Sequence, residues 1–298
     1  MPSSRGSERA RRSAGVALVS VLWLLVLLSM LVINLSAGSR TELQLAGNLR
    51  QASSARHVTE AGVNWGMWSL MQTNNAGWLA DGSSRTMELD GISVEVALFD
   101  EQGKIDLNEA GPQLLQGLFE SVGQDKKTAE ALAAAVIDWR DEDQLLTPLG
   151  AEKEEYEAAG LIGPSNDSFE ELKDLLKVLG MTEELYHQVL PALTIYSKRA
   201  EVNPLVAPRV VLLALPGIEP GSIDRFIEER RRNFESGQRP PILNGVDPLI
   251  LTPNAPGVNY SIVTKTTVSP TVQIRQHLLV HRRGGGQGFE VMQSTQLE

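Results

Sequence analysis

The spacing of hydrophobic residues changes character along this chain, and each change predicts a different element. Between Arg12 and Arg40 no residue is charged, and 16–35 reads VALVSVLWLLVLLSMLVINL, with Ser20, Ser29 and Asn34 as its only polar side chains. As a helix rising roughly 1.5 Å per residue, that run is about 30 Å long, the thickness of a bilayer's hydrocarbon core. Beyond Arg40 the apolar positions Leu45, Leu49, Ala52, Ala55, Val58, Ala61, Trp65 and Trp68 recur at steps of three and four. That period predicts an amphipathic helix ending near Gln72, before the breaker run at 73–77. No Pro separates the two stretches, so one continuous helix is expected; a short linker followed by an ordinary domain helix is the alternative.

The period then shortens to two. Residues 86–99 alternate around Asp90-Gly91 and predict a hairpin. From 108 to 215 the pattern is mainly helical, with segments near 112–122, 126–140, 168–178, 182–196 and 207–215, and a charged helix over 220–235. Val, Ile and Thr return at 258–268, 271–282 and 289–293 and predict strands. Neither strand group makes a stable sheet alone. The expected fold is therefore α+β: a long N-terminal helix packed on a small antiparallel sheet, with a large all-α subdomain inserted into it.

Charge adds direction and a boundary. Four Arg and one Glu leave residues 1–15 at +3, so the remainder of a chain of net −10 carries −13. A basic head before an apolar run keeps the head in the cytoplasm and sends the rest across the membrane. An acidic remainder lacks the basic face that nucleic acid requires. With no Cys in the chain, a translocated domain relies on core packing or metal rather than disulfides.

A basic head, Gly15, then an uncharged apolar helix resembles a type IV prepilin leader. The resemblance implies cleavage after Gly15, a mature N-terminus at Val16 and retention of the helix. Small residues at Ala37-Gly38-Ser39 leave an ordinary secretory signal open as the alternative. Most pilins carry Glu at the fifth mature position, where it meets a neighbour's N-terminal amine. Here that position is Ser20, which suits a subunit with no neighbour ahead of it, or a plain anchor.

Two motifs remain. Residues 105–110 (IDLNEA) align with 202–207 (VNPLVA), and Leu115 and Leu118 align with Leu212 and Leu215. This repeat resembles helix-hairpin-helix modules, some of which grip DNA phosphates. Glu219 stands where a phosphate-binding Gly is expected, so structural packing units are favoured over a DNA site. The second motif is DWRDEDQLLTPLGAE at 138–152. Asp138, Asp141, Asp143 and Glu152 are candidate ligands for a hard cation such as Ca²⁺, which takes six to eight oxygens. An EF-hand does not fit the spacing, and a solvated acidic loop accounts for the run equally well.

Taken in order, these segments resemble the minor pseudopilin K family of type II secretion systems. The matching stretches are the leader, 103–108, 138–143, 150–152, 194–197, and 202–203 through Leu215-Pro216-Gly217. The family implies residues 1–15 as a removed leader and 16–39 as the transmembrane part. Residues 40–104 would be pilin-like, 105–240 the helical insertion, and 241–298 the strands completing the sheet. It implies a single pass through the inner membrane with the C-terminal part in the periplasm, cleavage by the prepilin peptidase, and methylation at Val16. It also implies Ca²⁺ at Asp138, Asp141, Asp143 and Glu152, and a non-enzymatic role at the pseudopilus tip with the I-type and J-type minor pseudopilins. Lys153 and Glu155 depart from the family's usual residues and put a second Ca²⁺ site in doubt. A minor pilin of a type IV pilus or DNA-uptake system is the alternative. A hydrolase is disfavoured: no Cys and no Ser elbow is present, and His277 and His281 lie four apart on a predicted strand, too far to share a metal.

Overall fold

The computed structural model describes residues 6–72, 77–252, 256–269, 272–284 and 288–297, and within them every side chain but those of 6–16, 34–44, 48, 269 and 297. The chain divides into two units, 1–57 and 58–298, and one helix, α1 (Gly6–Met71), has residues in both. In the first unit the described side chains of the apolar run, 17–33, are all exposed, with Leu24 at 57% and Ile33 at 68%. They cover roughly 25 Å of helical rise. Among the described residues no helix is long and apolar enough to cross a membrane. The side chains of Gly15 and Val16, and the end of the run beyond 33, lie outside the described set.

The second unit is built on a five-stranded antiparallel sheet. Its strands are β1 (Asp81–Leu89), β2 (Ile92–Asp100), β5 (Asn259–Ser269), β6 (Val272–Arg282) and β7 (Phe289–Leu297), side by side in that order. Asp90 and Gly91 take φ of 53° and 75°, the paired positive values of a two-residue hairpin turn whose twist matches its strands. The pairing of β2 with β5 joins the early and late strand groups, as the alternation predicts. Val94, Val96 and Leu98 alternate onto the face that meets the end of α1, where Val58, Val63 and Leu70 complete the core with Ile262, Leu278 and Val280. Gly62 and Gly66 set the approach. A Cβ at Gly62 would lie 2.9 Å from Val94 Cγ2, and one at Gly66 3.0 Å from Leu98 Cδ2.

Between β2 and β5 the chain builds a second, larger core. Here lie β3 (Ile105–Asp106), α2 (Pro112–Ser121), α3 (Lys126–Arg140), α4 (Lys153–Ala158), α5 (Glu183–Val189), β4 (Leu193–Thr194), α6 (Arg209–Ala214) and α7 (Pro220–Ser236). α2 and α3 fall where the period places them. The expected helix at 182–196 stops at Val189, because Pro191 ends it and Leu193-Thr194 pair with Ile105-Asp106 as a short parallel ladder. The segment at 168–178 is a single 3₁₀ stretch, Leu172–Lys177, and α4 lies between the segments that the period names.

The repeat is visible as matched bonding. Asp106 Oδ1 accepts from Asn108 N–H at 3.0 Å, and the aligned Asn203 Oδ1 accepts from Leu205 N–H at 3.0 Å. Arg140, at the end of α3, donates to the carbonyls of Leu107 and Ala110. Arg230, in α7, donates to Pro204 and Ala207, the residues that align with them. Leu115, Leu118, Leu212 and Leu215 are buried, and a Cβ at Gly117 would strike the Ala214 carbonyl oxygen, so α2 and α6 cross with their backbones close. Where the two cores meet, the buried Glu101 accepts from Lys104 Nζ at 2.7 Å, Ser261 Oγ at 2.6 Å and Thr194 Oγ1 at 2.5 Å. Burial alone would raise its carboxyl, but these partners hold it below the ordinary range. His277 and His281 go to separate partners, Ser261 Oγ and Asn259 Oδ1.

Candidate metal centre

α3 places the acidic loop. Asp125 caps the helix, accepting from the N–H groups of Lys127 and Thr128, and Ala-rich turns carry it to Arg140. Asp138 therefore stands in the last turn, where the helix dipole disfavours an anion. Its carboxylate turns inward: Oδ2 accepts from Ala151 N–H at 2.9 Å and from Thr147 N–H at 3.3 Å. The loop 141–151 thus folds back over the end of its own helix. Gly150 permits that return, since any Cβ there would collide with Asp138 Oδ2. Leu149 takes a φ of 67° at the corner, and Gly150 N–H closes the turn on the Thr147 carbonyl at 2.8 Å.

What this arrangement leaves over is a set of oxygens. Asp138 Oδ1, Asp141 Oδ1 and both carboxylate oxygens of Glu152 are buried without a hydrogen-bond partner. Asp138 has no solvent exposure and Glu152 is 7% exposed. Burying a polar atom without a partner costs free energy, more so for an anion. Burial pushes the Asp138 carboxyl above its ordinary value, against the two backbone bonds it accepts, and Asp143 adds to the rise. Asp141 is raised by burial and then by Asp143 and Asp138. Glu152 is raised by burial and then by Asp138, Asp141 and Asp143. Like charges converging on uncompensated oxygens form the electrostatic environment that a hard cation relieves.

The four expected residues do not stand alike. Asp138, Asp141 and Glu152 contribute the partnerless oxygens. Asp143 is exposed, its Oδ1 accepts from Leu145 N–H at 2.7 Å, and it acts on the others through its charge. Among the described residues no three His, Cys, Asp or Glu side chains come together closely enough to hold a metal ion. The donors are hard carboxylate oxygens of the kind Ca²⁺ takes. Glu142 is exposed.

Sequence reasoning missed the second loop that meets this one. Asn166, with φ of 50°, donates from Nδ2 to the Asp143 carbonyl at 2.9 Å. Glu155 caps α4, accepting from Glu152 N–H at 3.0 Å, which fixes the backbone of Glu152 from behind. Trp139, Tyr156 and Phe169 pack beneath, with ring centroids 5.9 Å and 6.2 Å from Trp139. The Glu152–Glu155 interval was the available signal.

With the geometry in place, comparisons with known proteins add a context. Residues 93–198 match the family model described as type II secretion system (T2SS), protein K. This span contains all four candidate ligands. The type II secretion system protein K of Pectobacterium carotovorum is 25% identical over 190 residues, 61% of this chain and 58% of that protein. That of Pseudomonas aeruginosa is 24% identical over 253 residues, 76% of this chain and 75% of that one. The match to the Pectobacterium protein thus spans under two thirds of its length. Among solved structures, a chain of the GspK-GspI-GspJ complex from enterotoxigenic Escherichia coli superposes with a TM-score of 0.57 at 20% identity. That likeness covers 87% of this chain and 99% of the other, and it shows a shared α+β fold.

Proposed function

This chain belongs to the protein K family of the type II secretion system, and from that premise we propose that it is a minor pseudopilin seated at the tip of a pseudopilus, starting or capping its assembly. The observation that carries the reading is the apolar surface of α1. Its described side chains from 18 to 33 include large hydrophobics 49–70% exposed. A helix apolar all round is stable only in lipid or among other apolar helices. A helix kept after removal of residues 1–15 would first hold the protein in the inner membrane, then bundle with equivalent helices of I-type and J-type subunits. The helical insertion gives the chain bulk where a slimmer subunit would leave room for one more.

The role we propose is structural rather than catalytic. Ca²⁺ belongs to it as a resident ion, held by Asp138, Asp141, Asp143 and Glu152. It would supply positive charge to oxygens that now have no partner and draw the 141–152 loop onto the end of α3. Processing after Gly15, with Val16 as the mature and methylated N-terminus, and a periplasmic position for the rest, complete the proposal. Deleting the gene tests the role. Loss of export of folded substrates, restored by the full chain, is expected; unchanged export overturns it.

A further inference from the structure

The five-stranded sheet ends in two edges that differ. β1 forms one of them, and it is blunted in the ways that keep edge strands from pairing. It carries Asp81, Arg85 and Glu88, its register breaks between Asp81 and Ser84, and Arg231 and Phe234 of α7 line a cavity with Ser83, Ser84 and Arg85. β7 forms the other edge and is less protected: its register also breaks, at Met292, but Glu290 is its one charged residue. From 291 to 297 it carries no charge and no Pro, and residues 290–296 are exposed. Val291 and Met292, both more than half exposed, show apolar surface beside it. Such an edge offers a row of main-chain groups ready to pair with another strand.

Charge indicates what pairs there. Residues 258–298 hold Lys265, Arg275, Arg282 and Arg283 against Glu290 and Glu298, a net of +2 in a chain of −10. Arg275, directly across from Leu297 on the neighbouring strand, is exposed. Arg283 is already paired with Glu290, which leaves Arg275 as the cation beside this edge. A second copy would add another Arg275, whereas an acidic segment would meet an opposite charge. We propose that β7 is a docking edge that takes an extended acidic segment of another polypeptide as a sixth strand, main chain to main chain.

The test places a photo-reactive phenylalanine derivative at Met292, at Thr295 or, as a control, at Arg85, in the full chain expressed from its own locus in living cells. Crosslinked peptides are then sequenced. The expected products from 292 and 295 map to one acidic segment of another protein, at sites about three residues apart, as strand pairing requires. The Arg85 position gives none. Arg275→Glu lowers the yield at Thr295 roughly threefold or more, while Arg275→Lys keeps it; thermal unfolding of both variants stays at the parent value. Products joined to a second copy or to lipid overturn the proposal. So does equal yield from Arg85, scattered mapping, or no product from either β7 position.

Discussion

Arg140 and Arg230 hold the same post in two copies of one unit: each reaches back from a helix to the carbonyl oxygens of an aligned pair, Leu107 and Ala110 for one, Pro204 and Ala207 for the other. They differ in what else they meet. Arg230 also donates to Asp81 Oδ2 at 2.7 Å, with side chains 3% and 5% exposed, so the second copy is tied to the first strand of the sheet. Arg140 lies within the field of Glu109, Asp106 and Asp141, and burial lowers its own pKa.

Arg230→Ala is expected to destabilise the second unit by about 3–5 kcal/mol, since it leaves Asp81 Oδ2 and two carbonyls buried without their donor. Arg230→Lys rescues little of this, because one ammonium cannot copy the fork. Chemical denaturation followed by Trp fluorescence measures both. A loss under about 1 kcal/mol would show that the pair is dispensable.

Calcium is expected to raise the melting temperature of the parent chain, by several degrees for an ion present at about a hundred times its dissociation constant. Asp141→Ala combined with Asp143→Ala removes the rise. A melting curve indifferent to chelator in the parent would refute the ion.

The carboxyl shifts set the pH dependence. Without the ion, Asp138, Asp141 and Glu152 are all held above their ordinary values. The folded chain then binds more protons than the unfolded one, so stability falls as pH rises from about 4 through the raised range. With calcium bound the carboxylates are wanted in charged form, and the slope reverses. Melting temperatures in chelator and in calcium, measured across this interval, should diverge with rising pH; parallel curves would count against the coupling.

Gly62→Val is expected to cost about 1–3 kcal/mol, because the added carbons enter the space of Val94 and Val96, in a core with no slack. Gly47→Ala, with nothing within 4 Å of its Cβ, is the control and gains helix propensity instead. Equal melting temperatures for Gly62→Val and the parent would show that α1 and the sheet are not packed at this contact.

Much of this was readable from residue types. Asp90-Gly91 announces its turn because only a few residues accept positive φ, and α3 announces itself by period and by Asp125. The Leu193-Thr194 ladder does not, since two residues carry no period and Pro191 sits inside an apparently helical pattern. The acidic ligands were legible as a cluster, while Asn166 was not, because its partner is a backbone carbonyl with no signature of its own. For the same reason the aligned segments 105–110 and 202–207 were visible as a repeat, but not the arginines that clasp them.

That doubled clasp has a consequence for how the molecule tolerates change. One copy is bolted to the sheet through Asp81, so its geometry is committed. Among the described residues its twin makes no such ion pair, and the stretch following Arg140 is the loop whose carboxylate oxygens lack partners. A change at the loop end of the repeat is therefore absorbed locally, whereas one at Arg230 reaches the outermost strand through Asp81.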